Sequence, residues 1–66
     1  MSMVTIIVSY EGRTAEAEGK TVEDAILKMG VSPQTVLARL DGEFVADDEP
    51  LRRGAKLELV RISSIG

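Results

Sequence analysis

The sequence predicts a small two-layer α+β domain with the element order ββαβββ, and three observations carry that prediction. The first and last apolar runs have the alternation of strands, one segment between them switches to the period of a helix, and glycine-containing dipeptides mark the turns between. A chain of 66 residues holds one domain and no more.

The opening run, Met3-Val4-Thr5-Ile6-Ile7-Val8-Ser9-Tyr10, is rich in β-branched residues and reads as a strand. Val4, Ile6, Val8 and Tyr10 share one face, and Thr5, Ile7 and Ser9 the other. Glu11-Gly12 is a short turn, and Arg13 to Glu18 returns as an edge strand of alternating polarity. The period then changes. Thr21 is a good N-cap, with Asp24 three residues on in the position that closes a capping box. Val22, Ala25, Ile26 and Met29 follow i, i+3, i+4, i+7, which predicts a helix from Val22 to Met29 with one apolar face. Leu27 falls off that stripe, and Gly30 stands where a left-handed C-terminal cap belongs.

Ser32-Pro33-Gln34 reads as a capped helical turn with proline at its first position. Val36-Leu37-Ala38-Arg39-Leu40 is a strand, Asp41-Gly42 is the strongest hairpin signal in the chain, and Glu43-Phe44-Val45-Ala46 returns. The polar connection from Asp47 to Gly54 offers Leu51 as its one core anchor, and Lys56 to Ile62 is the final strand. Residues 63–66, Ser63-Ser64-Ile65-Gly66, are expected to form a flexible tail after a domain spanning 1–62.

One helix covers one face of such a sheet. The first and last strands are the most apolar, so they belong in its centre, side by side and parallel, joined by a crossover that contains the helix. That arrangement is the β-grasp. Its predicted core is Val4, Ile6, Val8, Val22, Ile26, Met29, Leu40, Leu51, Leu57 and Leu59. The bare face is expected to carry an apolar patch of Ile7, Leu37, Val60 and Ile62.

Composition narrows the chemistry. The chain has no Cys and no His, which removes thiolate nucleophiles, imidazole catalysis, disulfides and the usual zinc sites. The longest apolar stretch, near Met3–Val8, is too short to span a bilayer and reads as neither anchor nor signal peptide. A net charge of −3 repels phosphate backbones, so neither nucleic acid nor membrane is an expected partner; the absence of disulfides in so small a fold points to the cytoplasm. Asp47-Asp48-Glu49 diverges as a solvated loop without metal-ligand spacing, Arg52-Arg53 reads as a solvated turn tip, and the glycines stand singly at turns. Glu16 and Glu18 share a strand face with no acid–base partner implied. Catalysis by side chains is not expected, and the chain is not read as an enzyme.

The whole length resembles the ubiquitin-like sulfur carriers of thiamine and molybdopterin biosynthesis and the small archaeal modifier proteins related to them. The resemblance rests on the opening hairpin, the helix Thr21-Val22-Glu23-Asp24-Ala25-Ile26-Leu27, the Ser32-Pro33-Gln34 turn, the run from Val36 to Val45, Leu51-Arg52-Arg53-Gly54, and a last strand leading to a terminal glycine. Two departures stand out: the chain ends Ile65-Gly66 where the family ends Gly-Gly, and Ala55 stands where an Asp commonly follows the turn glycine. The resemblance implies that an ATP-dependent activating enzyme adenylates the Gly66 carboxylate and converts it to a thiocarboxylate. ATP is then used by that enzyme, and no cofactor is bound by this chain. The acceptor is a sulfur-accepting biosynthetic enzyme or, for a modifier, a lysine-bearing target protein; a β-grasp interaction module without terminal chemistry is the third alternative. A terminal residue lacking Cβ suits a narrow channel, and four tail residues reach at most roughly 13 Å. Arg61, Ile62, Ser63, Ser64 and Ile65 would dock beside Gly66, with Ile7, Leu37 and Val60 on the sheet.

Overall fold

A computed structural model describes residues 3–62. Strands β1 (Val4–Tyr10) and β2 (Arg13–Gly19) precede helix α1 (Val22–Lys28), and β3 (Val36–Leu40), β4 (Glu43–Val45) and β5 (Lys56–Arg61) follow. They form one five-stranded sheet in the order β2-β1-β5-β3-β4. The first and last strands are neighbours at its centre and run parallel, whereas every other pair is antiparallel. The fold is therefore the expected ββαβββ α+β domain of β-grasp type.

Both hairpins turn in the left-handed region their sequences demand. Glu11 and Gly12 have φ of 49° and 79°, and Asp41 and Gly42 have 50° and 90°, the signature of type I′ turns. The second turn is also tied to β5. The Asp41 N–H donates to the Lys56 carbonyl at 2.9 Å, and the Lys56 N–H donates to Asp41 Oδ1 at 3.0 Å.

Every N–H in the first turn of α1 has a partner. The Asp24 N–H donates to Thr21 Oγ1, and the Asp24 carboxylate accepts from the Thr21 N–H, closing the capping box. The Val22 N–H donates to the Glu49 carbonyl and the Glu23 N–H to the Asp47 carbonyl, both at 2.9 Å. The acidic loop thus serves the helix with its backbone, while the Asp47 and Asp48 side chains are exposed and Glu49 is half-buried. At the other end Val31 N–H reaches the Ile26 carbonyl and Gly30 N–H the Leu27 carbonyl, a Schellman motif with Gly30 at φ 76°. The helix ends one residue earlier than expected, with Met29 as its C-cap.

The core is a single cluster on one face of the sheet, with Ile6, Val8, Val22, Ile26, Leu40 and Leu57 the largest fully buried side chains. Leu51 and Leu59 are buried as expected, and Leu27 is exposed. Two expected core residues are only half-buried. Val4 pairs with β2 alone, because β5 begins opposite Ile7, and Met29 lies at the helix end. Ala55, not foreseen in the core, is buried. Pro33–Thr35 forms the expected turn as a 3-10 helix, but the Ser32 side chain does not cap it. Instead the Thr35 N–H and hydroxyl both donate to the Ser32 carbonyl. No described helix is long and apolar enough to cross a membrane.

Candidate interaction face

With α1 on one side, the other side of the sheet is left open by the described residues, and the strand registers decide what it displays. Leu37 of β3 is directly opposite Val60 of β5. In the next row, Ser9, Glu58, Arg39 and Phe44 line up across β1, β5, β3 and β4. One row further, Ile7 pairs with Lys56. Successive side chains on a strand alternate between faces, so these rows all point away from the helix.

Leu37, Val60, Phe44, Ile7 and Ile62 are all exposed, Phe44 most of all at 62%. They do not form one patch. Leu37 and Val60 face each other, Ile62 follows Val60 at the strand end, and Phe44 lies diagonally across from Leu37, within reach of a large side chain. Ile7 is separated from this group by the Ser9–Glu58–Arg39 row, so the expected four-residue patch loses Ile7 and gains Phe44.

Arg39 holds that polar row in place. Its guanidinium is 3.7 Å from the Glu58 carboxylate, its Nε donates to the Gly42 carbonyl at 3.3 Å, and its Cζ sits 5.7 Å from the Phe44 ring centroid. The ion pair is exposed and adds little to stability. Its value is positional: three contacts orient the guanidinium and brace the Phe44 ring in an open cation–π pair.

Phe44 was legible in the sequence and was missed. A two-residue Asp41-Gly42 turn makes Leu40 pair with Glu43 and Arg39 with Phe44. With Leu40 in the core, Arg39 and Phe44 must then face outward.

The remaining expected site residues fall elsewhere. Arg61 has the parity of Leu57 and Leu59, and it turns back to the first hairpin, donating to Glu11 Oε2 at 3.2 Å. The Ile62 N–H donates to the Thr35 carbonyl at 2.9 Å, which carries the β3–β5 pairing one residue past the strand. Ser63, Ser64, Ile65 and Gly66 lie outside the described residues. Among the described residues, no three acidic groups converge on a point that could hold a metal ion. No family model matches the chain, and no curated protein does.

Proposed function

We propose that this domain is a ubiquitin-like carrier which docks on an ATP-dependent activating enzyme through the Leu37–Val60–Phe44 face and presents the Gly66 carboxylate to it. The observation that supports this reading best is positional. The apolar row lies at the end of β5, so a partner seated on it would stand close to the point where the chain continues past Ile62.

The chemistry follows from the carboxylate. Its oxygen attacks the α-phosphate of ATP, pyrophosphate leaves, and an acyl adenylate remains. Sulfide then displaces AMP and leaves a thiocarboxylate, whereas attack by a lysine amine would leave an isopeptide bond. Nothing in either step needs Cys or His from the carrier. We place sulfur transfer first and protein modification second, on the family resemblance alone.

A simple interaction module is the competing reading, favoured by the fact that the apolar row is complete without any tail. Incubation with the cognate activating enzyme and ATP separates the two. A carrier releases pyrophosphate and, with a sulfide source, gains the mass of one sulfur for one oxygen at its C-terminus. Replacing Gly66 by Phe should abolish both signals, because a side chain beside the reacting carbon obstructs the channel. Changing Leu37 and Val60 to Asp should weaken docking while leaving the fold intact, since both side chains are exposed. Docking without pyrophosphate release would leave the module standing.

A further inference from the structure

The two edges of the sheet differ. β4 contributes three residues, but β2 is a full seven-residue edge strand. Its hydrogen-bonding parity follows from the hairpin. A two-residue type I′ loop makes its flanking residues, Tyr10 and Arg13, a hydrogen-bonded pair, and such pairs alternate along an antiparallel ladder. Arg13, Ala15, Ala17 and Gly19 therefore bond inward to β1. Thr14, Glu16 and Glu18 turn their N–H and C=O groups outward, where no other strand among the described residues pairs with them.

This edge opens onto two grooves between β2 and α1. One, of about 620 Å³, runs beside Arg13 and Ala15 and is walled by the half-buried Tyr10, Met29 and Val31. The other, of about 460 Å³, lies beside Glu18 between Met3 and Leu27. Both reach Lys28, so they flank the same edge. Ala15 is on the helix side of β2 yet exposed, which leaves room for a side chain entering from outside. Leu27, off the helix's core stripe, supplies an apolar wall there.

We infer that the β2 edge is a docking site for an extended, basic peptide segment that adds a sixth strand to the sheet. Backbone pairing with Thr14, Glu16 and Glu18 supplies the main attachment, and alternate side chains supply selectivity. One set enters the grooves against Met29, Val31 and Leu27 and is apolar. The other lies on the open face beside the Glu16 and Glu18 carboxylates and is Lys or Arg, since opposite charges across a strand pair attract. The same carboxylates disfavour antiparallel pairing with a second copy of this chain, which sets Glu16 against Glu16, or Glu16 against Glu18 in the next register, and like charges directly opposite repel. Parallel pairing would turn the second copy over and put its helix on the open face. The net charge of −3 further favours a basic segment.

The test uses the full chain and an acetylated octapeptide alternating valine with lysine, followed by amide hydrogen exchange and chemical shifts. Protection should appear at the Thr14, Glu16 and Glu18 amides, while Ala15 and Ala17, already bonded to β1, change little. Reversing both charges, with Glu16→Lys and Glu18→Lys, should weaken this peptide about tenfold and transfer preference to one alternating valine with glutamate. Glu16→Pro removes an outward N–H that the ladder does not use, so the fold should persist and binding should fail. If that variant unfolds, the charge reversal decides. The inference is overturned if the wild-type chain shows no edge protection at millimolar peptide, or if protection falls on β3 and β4. Unchanged peptide preference after charge reversal overturns it as well.

Discussion

At Gly19 the backbone of β2 passes so close to α1 that a Cβ there would lie 2.4 Å from Asp24 Cβ. The conflict is with the root of a side chain held by a capping box, which has little freedom to retreat. Gly19→Ala should therefore destabilise the domain by about 1–3 kcal/mol, the usual cost of overpacking, read as a lower urea midpoint with unchanged slope. Asp24 has its own signature. The Lys20 N–H at 2.8 Å, and then the Thr21 N–H at 3.2 Å, donate to its carboxylate and hold its pKa below 3.8. A carboxyl whose folded pKa is depressed contributes stability that is full above its unfolded pKa and is lost as pH falls through the lower folded value. The urea midpoint of the wild-type chain should thus drop below about pH 4, and Asp24→Asn should flatten that fall. An acid limb identical in both proteins would show that the carboxylate contacts do not persist in solution.

Among the elements, α1 is too short to persist alone and owes its existence to the face it buries. Ile26 sits fully buried at the middle of that face. Ile26→Ala should cost about 2–5 kcal/mol, much of what a domain this size possesses, and denaturant unfolding would measure it. The helix was readable because its signals are local: Thr21 with Asp24, the i, i+3, i+4, i+7 stripe, and Gly30. The type I′ turns were equally local, and they carry the strand registers with them. Contacts made across the chain were not readable. Nothing near Val22 and Glu23 announces that their N–H groups bond the Glu49 and Asp47 carbonyls, and nothing near Gly19 announces Asp24 Cβ. Ala55 likewise carries no apolar weight in sequence, yet it closes the core beside the last strand. On the interaction face, Leu37 and Val60 followed from strand parity. The division between them and Ile7 required the parallel β1–β5 register, which no local signal sets.

For the whole molecule, the buried residues among those described form one cluster, which helix and sheet share. Helix and sheet should be lost together. Far-UV circular dichroism and the fluorescence of Tyr10, the sole tyrosine and packed against that cluster, should report one coincident urea transition. Separate midpoints would mean that one hairpin survives without the rest. The same unity bears on the two proposed docking surfaces. The Leu37–Val60–Phe44 face and the β2 edge belong to one sheet, so substitutions at the exposed positions of either should alter the proposed binding without moving the transition.

The parallel pairing of β1 with β5 also fixes how the domain answers to force. A load applied through Met3 and Ile62 pulls the start of one central strand against the end of its neighbour, along the strand axes. The β1–β5 bonds are then sheared, and all must yield together, whereas a load applied between Tyr10 and Ile62 would peel the same strands apart bond by bond. Single-molecule stretching across Met3 and Ile62 should therefore require a markedly higher rupture force than stretching across Tyr10 and Ile62, although the thermodynamic stability is the same in both. A domain of this topology would stay closed while something tugs on its C-terminal end, and it would open readily if gripped at the tip of its first hairpin.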